Sequence, residues 1–286
     1  MRASPDEELQ RYVRTGEHHN DFFLGWPGSD FFARAEHARA ALAEALVAEV
    51  RKRTPNAAVP QTLLGLDVAA FARAKVAPMV CGLFPRGERE SVLNVLARSV
   101  VFLTPENIAP VLRQARWLST AWDLANLYLS SFHSELLSDD APQILGLSEE
   151  TTCYVSVEYF TGSGRFADFV VHEAAHVFHN CKRRTIGLPY TRRREWILDI
   201  DFTKRETFAY ASEAYSRILE LGDGPAQRRA LLWELEREPL PSADRVDGGE
   251  YVDVLREAVA GRNGWKRILA RCAPPRRTRP PDPRTA

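Results

Sequence analysis

Apolar residues recur at helical spacing along most of this chain. The longest such run is FFARAEHARAALAEALVAEVRKR, which Ser29 or Asp30 can cap and Thr54-Pro55 stops. Phe32, Ala35, Ala38, Leu42, Leu46 and Val50 form its predicted core stripe. A shorter helix is predicted over 5–14, followed by a turn-rich connection at 16–30. The adjacent His18 and His19 read there as an exposed pair, because neighbours diverge on a helix. The same spacing predicts helices at 66–83 and 87–100. Thr104-Pro105 then supplies a hydroxyl cap and a first-turn proline for one long or broken helix to about residue 132. The acidic stretch 134–150 reads as a linker, and its Asp139-Asp140 pair as a solvated turn.

The pattern changes at TTCYVSVEYF (151–160), which reads as a strand, with Gly162 and Gly164 in the turn after it. An apolar helical run follows, centred on VVHEAAHVFHN (170–180). REWILDIDF (194–202) reads as an extended segment, and KRETFAYASEAYSRILELG (204–222) as an amphipathic helix closed by Gly222. Residues 225–271 read as two or three helices around a DGGEY turn (247–251). The Pro/Arg-rich tail 273–286 cannot build a core and is expected to be disordered. The fold class is therefore α+β and predominantly helical, with a small sheet beside the helix at 170–180. Three regions follow in order: helical 1–135, metal-binding and catalytic 136–272, and the tail 273–286.

Composition narrows the function classes. A chain of 286 residues suffices for one large or two modest domains. Lys+Arg and Asp+Glu both number 38, so no global charge draws the chain to nucleic acid or to an anionic membrane. No apolar run approaches the ~20 residues that span a bilayer, and the charged N-terminus lacks an apolar signal core. Cys81, Cys153, Cys181 and Cys272 are widely spaced with no C-x-x-C pair, which points to reduced thiols and a cytoplasmic location. Neither an internal repeat nor a glycine-rich phosphate loop is present.

The chemistry concentrates in His172-Glu173-Ala174-Ala175-His176, an H-E-x-x-H motif. On a helix, residues four apart share a face, so both imidazoles can reach one metal ion, for which zinc is the expected choice. Glu173 lies about 100° round the helix, placed to take a proton from a water on that metal. Phe169, Val170, Val171, Val177 and Phe178 surround the triplet with apolar side chains, so the helix is expected to be buried, and buried His and Glu need partners. Several residues remain candidates for a third ligand. His179 stands about 10 Å along the axis from His172, too far for one ion, and Cys181 is worse placed. Asp199 and Asp201 lie in the extended segment. Glu206 and Glu213 lie seven residues apart on nearly one face of the next helix, with Tyr210 between them. Two basic clusters, Lys182-Arg183-Arg184 and Arg192-Arg193-Arg194, separate the two helices. The first complements a helix C-terminus; the sharper reading of both is attraction of an acidic substrate.

HEAAH followed by Glu206-Thr207-Phe208-Ala209-Tyr210-Ala211-Ser212-Glu213-Ala214-Tyr215 resembles the gluzincin pattern of the anthrax lethal factor catalytic domain and the bacterial Mlc titration factor peptidases, over residues 151–215. The resemblance implies a zincin-like metallopeptidase domain. It implies Zn²⁺ held by His172, His176 and Glu206, Glu173 as general base, and a peptide or protein as substrate. Glu213 is expected behind the ligands or bonded to a basic neighbour. In lethal factor-like enzymes a tyrosine upstream of the ligand glutamate steadies the oxyanion, but seven residues before Glu206 this chain has Asp199. Tyr210, Tyr190 and His179 are the substitutes. An edge strand near the motif helix could hold an extended peptide by main-chain pairing. The alternatives are a zinc hydrolase of a non-peptide amide or small metabolite, and a regulator that uses the fold to bind a protein. The intact Glu173 counts against the regulator, which has no use for a general base.

Overall fold

A computed structural model describes residues 4–18, 23–162, 164–192 and 194–275. His19, Arg193 and most of the tail expected to be disordered lie outside the described residues. The chain forms two contact-dense units that interleave along the sequence, where the sequence pattern suggests consecutive regions. The first comprises Met1–Phe71 with Ser99–Gly164, and the second Ala72–Arg98 with Arg165–Ala286. The division falls inside one helix, α3 (Val68–Leu83).

In the first unit, α1 (Pro5–Thr15) starts at a capping box in which Ser4 and Glu7 satisfy each other's backbone N–H groups. It ends at Gly16, whose positive φ of 73° is free of a Cβ penalty. The long α2 (Phe31–Arg53) is capped by Asp30, as the sequence indicates. Ala38, Leu42, Leu46 and Val50 are buried on it, joined by Ala43 and Val47, but Phe32 is 81% exposed and is not part of the stripe. The second expected helix of this region is shorter than its periodicity indicates. α4 (Arg86–Leu96), in the other unit, stops before the β-branched pair Val100-Val101, which enters a strand, β1 (Val100–Phe102). The helix expected from Thr104 breaks into α5 (Ile108–Gln114) and α6 (Leu118–Ser131), because Ala115 and Trp117 take extended ψ values of 131° and 142°. Within the supposed linker lies β2 (Gly146–Glu149), antiparallel to β3 (Thr152–Val155), which also pairs parallel with β1. The expected strand thus ends at Val155, and Val157–Phe160 is a 3-10 turn. Tyr12, Trp122 and Tyr128 bury their rings among the leucines of this core. The Tyr12 hydroxyl donates to the Leu118 carbonyl (2.6 Å) and the Trp122 indole to that of Val13 (2.9 Å).

The second unit is helical. It contains most of α3, α4, the motif helix α7 (Phe169–Asn180), α8 (Arg205–Leu221), α9 (Pro225–Leu235), α10 (Gly248–Ala260) and α11 (Gly264–Cys272). The sheet and α7 fall in different units, so the sheet is not part of the unit that carries the motif. The expected DGGEY turn is instead the start of α10, where the Asp247 carboxylate accepts from the Glu250 N–H (2.8 Å). α8 is the hub, packing against α7, α9, α10 and α11. Its Tyr215 meets Trp265 of α11 edge to face, 4.9 Å between centroids. No helix among the described residues is long and apolar enough to cross a membrane, and no disulfide joins the four cysteines.

Two glycines give opposite expectations. A Cβ at Gly264 would run into the Tyr215 ring and the Ala258 carbonyl, so Gly264→Ala should cost about 1–3 kcal/mol. Gly87 in α4 has open space around it, and Gly87→Ala should stabilise by about 0.4–1 kcal/mol. Urea midpoints of the two variants against the parent check both signs.

Candidate metal centre

α7 begins where Asp168, fully buried, accepts the Val171 N–H on its carboxylate (3.3 Å). Every residue from Phe169 to His179 is buried. A helix sunk this deeply exposes no face, so its polar side chains must find partners on neighbouring helices. α8 supplies them. Glu206, Tyr210 and Glu213 recur at i, i+4 and i+7 on one face of α8, and all three reach His172.

The imidazole of His172 lies along that face. Its Nδ1 sits 2.9 Å from Glu213 Oε2, its ring meets the Tyr210 ring edge to face at 4.5 Å, and its Nε2 is 3.9 Å from Glu206 Oε2. His176 Nε2 is 3.2 Å from His172 Nε2 and 3.5 Å from Glu206 Oε1. His176 Nδ1 is 2.9 Å from His179 Nε2. Each motif histidine is therefore held from behind, His172 by Glu213 and His176 by His179, while both Nε2 atoms turn toward Glu206. Glu213 is itself fixed, since its Oε1 accepts the Asp168 N–H at 2.7 Å.

The donor set suits a metal ion. A neutral His172 keeps its proton on Nδ1, against the Glu213 carboxylate, and this leaves a lone pair on Nε2. With His176 donating from Nδ1 to His179, two imidazole lone pairs on a buried helix face a partly exposed carboxylate. Three such groups repel unless a metal ion or a proton on His172 joins them. Ligand atoms about 2.0–2.2 Å from one zinc ion at tetrahedral angles lie about 3.3–3.6 Å apart. The two Nε2 atoms, 3.2 Å apart, lie just under that spacing; Glu206 Oε1 is 3.5 Å from His176, within it, while the approach to His172, 3.9 Å, is made by the other oxygen, Oε2, and lies beyond it. His172, His176 and Glu206 are the one such grouping among the described residues.

Electrostatics separates the histidines. Burial opposes charge on His172, but the hydrogen bond and charge of Glu213, with Glu173 and Glu206, overcome it and lift its pKa to about 9. Burial holds His176 well below the ordinary value, helped by the charges of His172, His179, Arg205 and Arg245. Burial and Arg205 bring His179 to about 4. Burial raises the Tyr210 phenol against the opposing charge of Arg245, so it stays a proton donor at neutral pH.

The other residues singled out in the sequence fall elsewhere. Glu173 is buried, one residue from His172, and its charge is felt there. Asp199 is exposed and lies outside the grouping, and Tyr190 is 60% exposed on the loop after α7. His179, too far along the helix to share an ion with His172, orients His176 instead. Asp168, Lys75, Arg205 and Arg245 also stand at this site, outside the motif. Asp168 had a signal, a carboxylate directly before an apolar helix. Lys75 had a weaker one, as a cation in the apolar α3; its Nζ reaches Asp168 Oδ2 at 3.2 Å and Glu220 Oε2 of α8 at 3.1 Å.

Metal binding here requires His172 to lose its Nε2 proton. Affinity should therefore be constant above the folded-state pKa of about 9 and weaken about tenfold per pH unit below it. Chelator competition at several pH values reads this directly. Glu213→Ala should weaken metal binding by about 10–100-fold and Glu206→Ala by more. The reverse order would move the third ligand to Glu213.

Comparison of the chain with known protein families, curated proteins and solved structures finds no match in any of the three.

Proposed function

We propose that this protein is a zinc-dependent hydrolase with a zincin-like catalytic unit, and that its substrate is a peptide. The observation that carries the reading is the convergence of His172 Nε2 and His176 Nε2, on a buried helix, with the partly exposed Glu206, and with Glu173 one residue along the helix from His172. Bound by these three, zinc would lower the pKa of its water toward ~7 and polarise the scissile carbonyl.

The residues divide the remaining work. Glu173 takes the proton of the attacking water on a carboxylate oxygen and delivers it to the departing amide nitrogen. Glu213 and His179 keep the two imidazoles in one tautomer and one orientation, so their Nε2 atoms remain available. Tyr210, oriented by Arg245 and packed on His172, donates its phenol proton in a hydrogen bond to the carbonyl oxygen as negative charge develops there. Tyr190, exposed on its loop, is not given that role, and neither is His179.

Glu173→Gln keeps the shape and removes the base, so zinc content should be unchanged while turnover falls by about 10²–10⁴. Wild type and variant incubated with a mixed peptide library, and read by mass spectrometry, test this. Equal cleavage by both at equal zinc content would remove Glu173 from the chemistry. No cleavage by either would sink the peptidase reading and leave a non-peptide substrate or a binding role.

A further inference from the structure

The chain as a whole is neutral, but the segment joining the motif helix to α8 is not. Residues 181–205 hold eight Lys and Arg against three Asp and Glu. Tertiary structure accounts for several of these cations. Arg183 is 1% exposed and pins the loop from inside, donating to the Pro189 carbonyl (2.6 Å) and to Glu88 Oε1 (2.6 Å). Arg194 shares Glu88 at 3.4 Å, Lys182 pairs with Glu195 at 2.6 Å, and Lys204 pairs with Glu250. Arg184 and Arg192 are exposed and make no ion pair among the described residues.

Those two arginines line a cavity of about 240 Å³ together with Lys182, Tyr190, Thr191 and Glu195. Its single carboxylate, Glu195, is engaged by Lys182. The loop that forms it is rigidly based. Leu198 N–H donates to the Phe178 carbonyl (2.9 Å) and Ile197 N–H to that of Cys181 (3.0 Å), so the loop returns to the C-terminal end of α7. Arg183 N–H donates to the Glu195 carbonyl (2.8 Å) and ties the two limbs together. Like charges held on a fixed frame repel, and an anion between them relieves that repulsion. The chain path bounds the distance to the metal centre. Four helical residues and two extended ones separate His176 from Lys182, a Cα separation of at most about 13 Å. An extended peptide spans a distance of that order in a few residues.

We propose that this cavity is a subsite for an acidic side chain of the peptide substrate, within a few residues of the bond that is cut. The word substrate rests on the hydrolase reading; the subsite itself does not. A carboxylate suits the cavity because a guanidinium forks onto two oxygens, and Tyr190 and Thr191 offer hydroxyls beside it. Arg205, at the start of α8 beside Glu206, continues the positive field toward the metal centre, where it acts on His176 and His179.

The test uses the full-length, zinc-loaded Glu173→Gln protein and labelled neutral peptides carrying a Glu, Gln or Lys pair, with binding read by fluorescence anisotropy. Glu peptides should bind tighter than their Gln counterparts by about two- to fivefold per arginine engaged, and the gap should close as salt rises. The double variant Arg184→Glu/Arg192→Glu should prefer the Lys peptides, a gained preference that misfolding cannot produce. Equal binding of Glu and Gln peptides, or an unchanged preference in the variant, overturns the subsite. So does inorganic phosphate that displaces the Glu peptide at sub-millimolar concentration, which would reassign the cavity to phosphate groups. Digestion by the wild type separates the two readings. Cleavage at a fixed position within a few residues of the Glu pair supports both, and cleavage indifferent to it overturns the subsite alone. Glu-dependent binding without any cleavage keeps the subsite and sinks the hydrolase.

Discussion

One buried contact organises the second unit: the Glu213 carboxylate of α8 against the Nδ1 of His172 in α7, at 2.9 Å. Both groups are buried, and neither could stay there unpaired without a cost of several kcal/mol. The second oxygen of Glu213 takes the Asp168 N–H, so one carboxylate fixes both the first turn of α7 and the ring orientation of His172. Because α7 exposes no face, α8 is the element that must complete its polar side chains, and the i, i+4, i+7 face of Glu206, Tyr210 and Glu213 does so along one imidazole.

The same crossing is secured at its far side by a cation. Lys75 of α3 lies between Asp168, which caps α7, and Glu220, near the end of α8. Burial pushes the Asp168 carboxyl up, and Lys75 opposes that push. A buried pair of this kind contributes little net stability, since desolvation offsets the attraction, but it penalises any arrangement in which the two helices slide. What it protects is a separation: the distance between Glu206 and the two Nε2 atoms depends on how α7 and α8 are held.

Charge is segregated in a chain with no net charge. Carboxylates gather inside, around His172, and cations gather on the loop between α7 and α8. The inner group favours positive charge at the candidate metal centre, and the outer group favours negative charge on whatever approaches it. Arg183 shows that the loop's cations do different work despite adjacent positions. It is a buried internal pin, while Arg184 beside it faces the cavity.

How much of this was legible in the sequence follows from how local each feature is. The pairing of His172 with His176 is set by the helical repeat alone, and so is the shared face of Glu206, Tyr210 and Glu213. The Asp30 cap and the bounds of α2 and α8 are likewise written in a few neighbouring residues. Phe32 departs from its stripe because burial depends on a partner surface, which helical periodicity does not supply. The helix expected over 87–100 overruns into the first residue of β1, and the strand itself is not marked locally because its pairing residues on β3 lie some fifty positions away. The interleaved units and the exposure of Asp199 depend on contacts between distant segments, whereas the contact of His179 with His176, three residues apart on α7, is local. The sequence by itself determined two helical faces, each carrying groups that bind metals. Only the tertiary structure decided that those faces meet with Glu206 toward the Nε2 atoms and Glu213 behind them, because seven residues of helix place two equivalent carboxylates about 10 Å apart, and the crossing of α7 over α8 alone chooses between them.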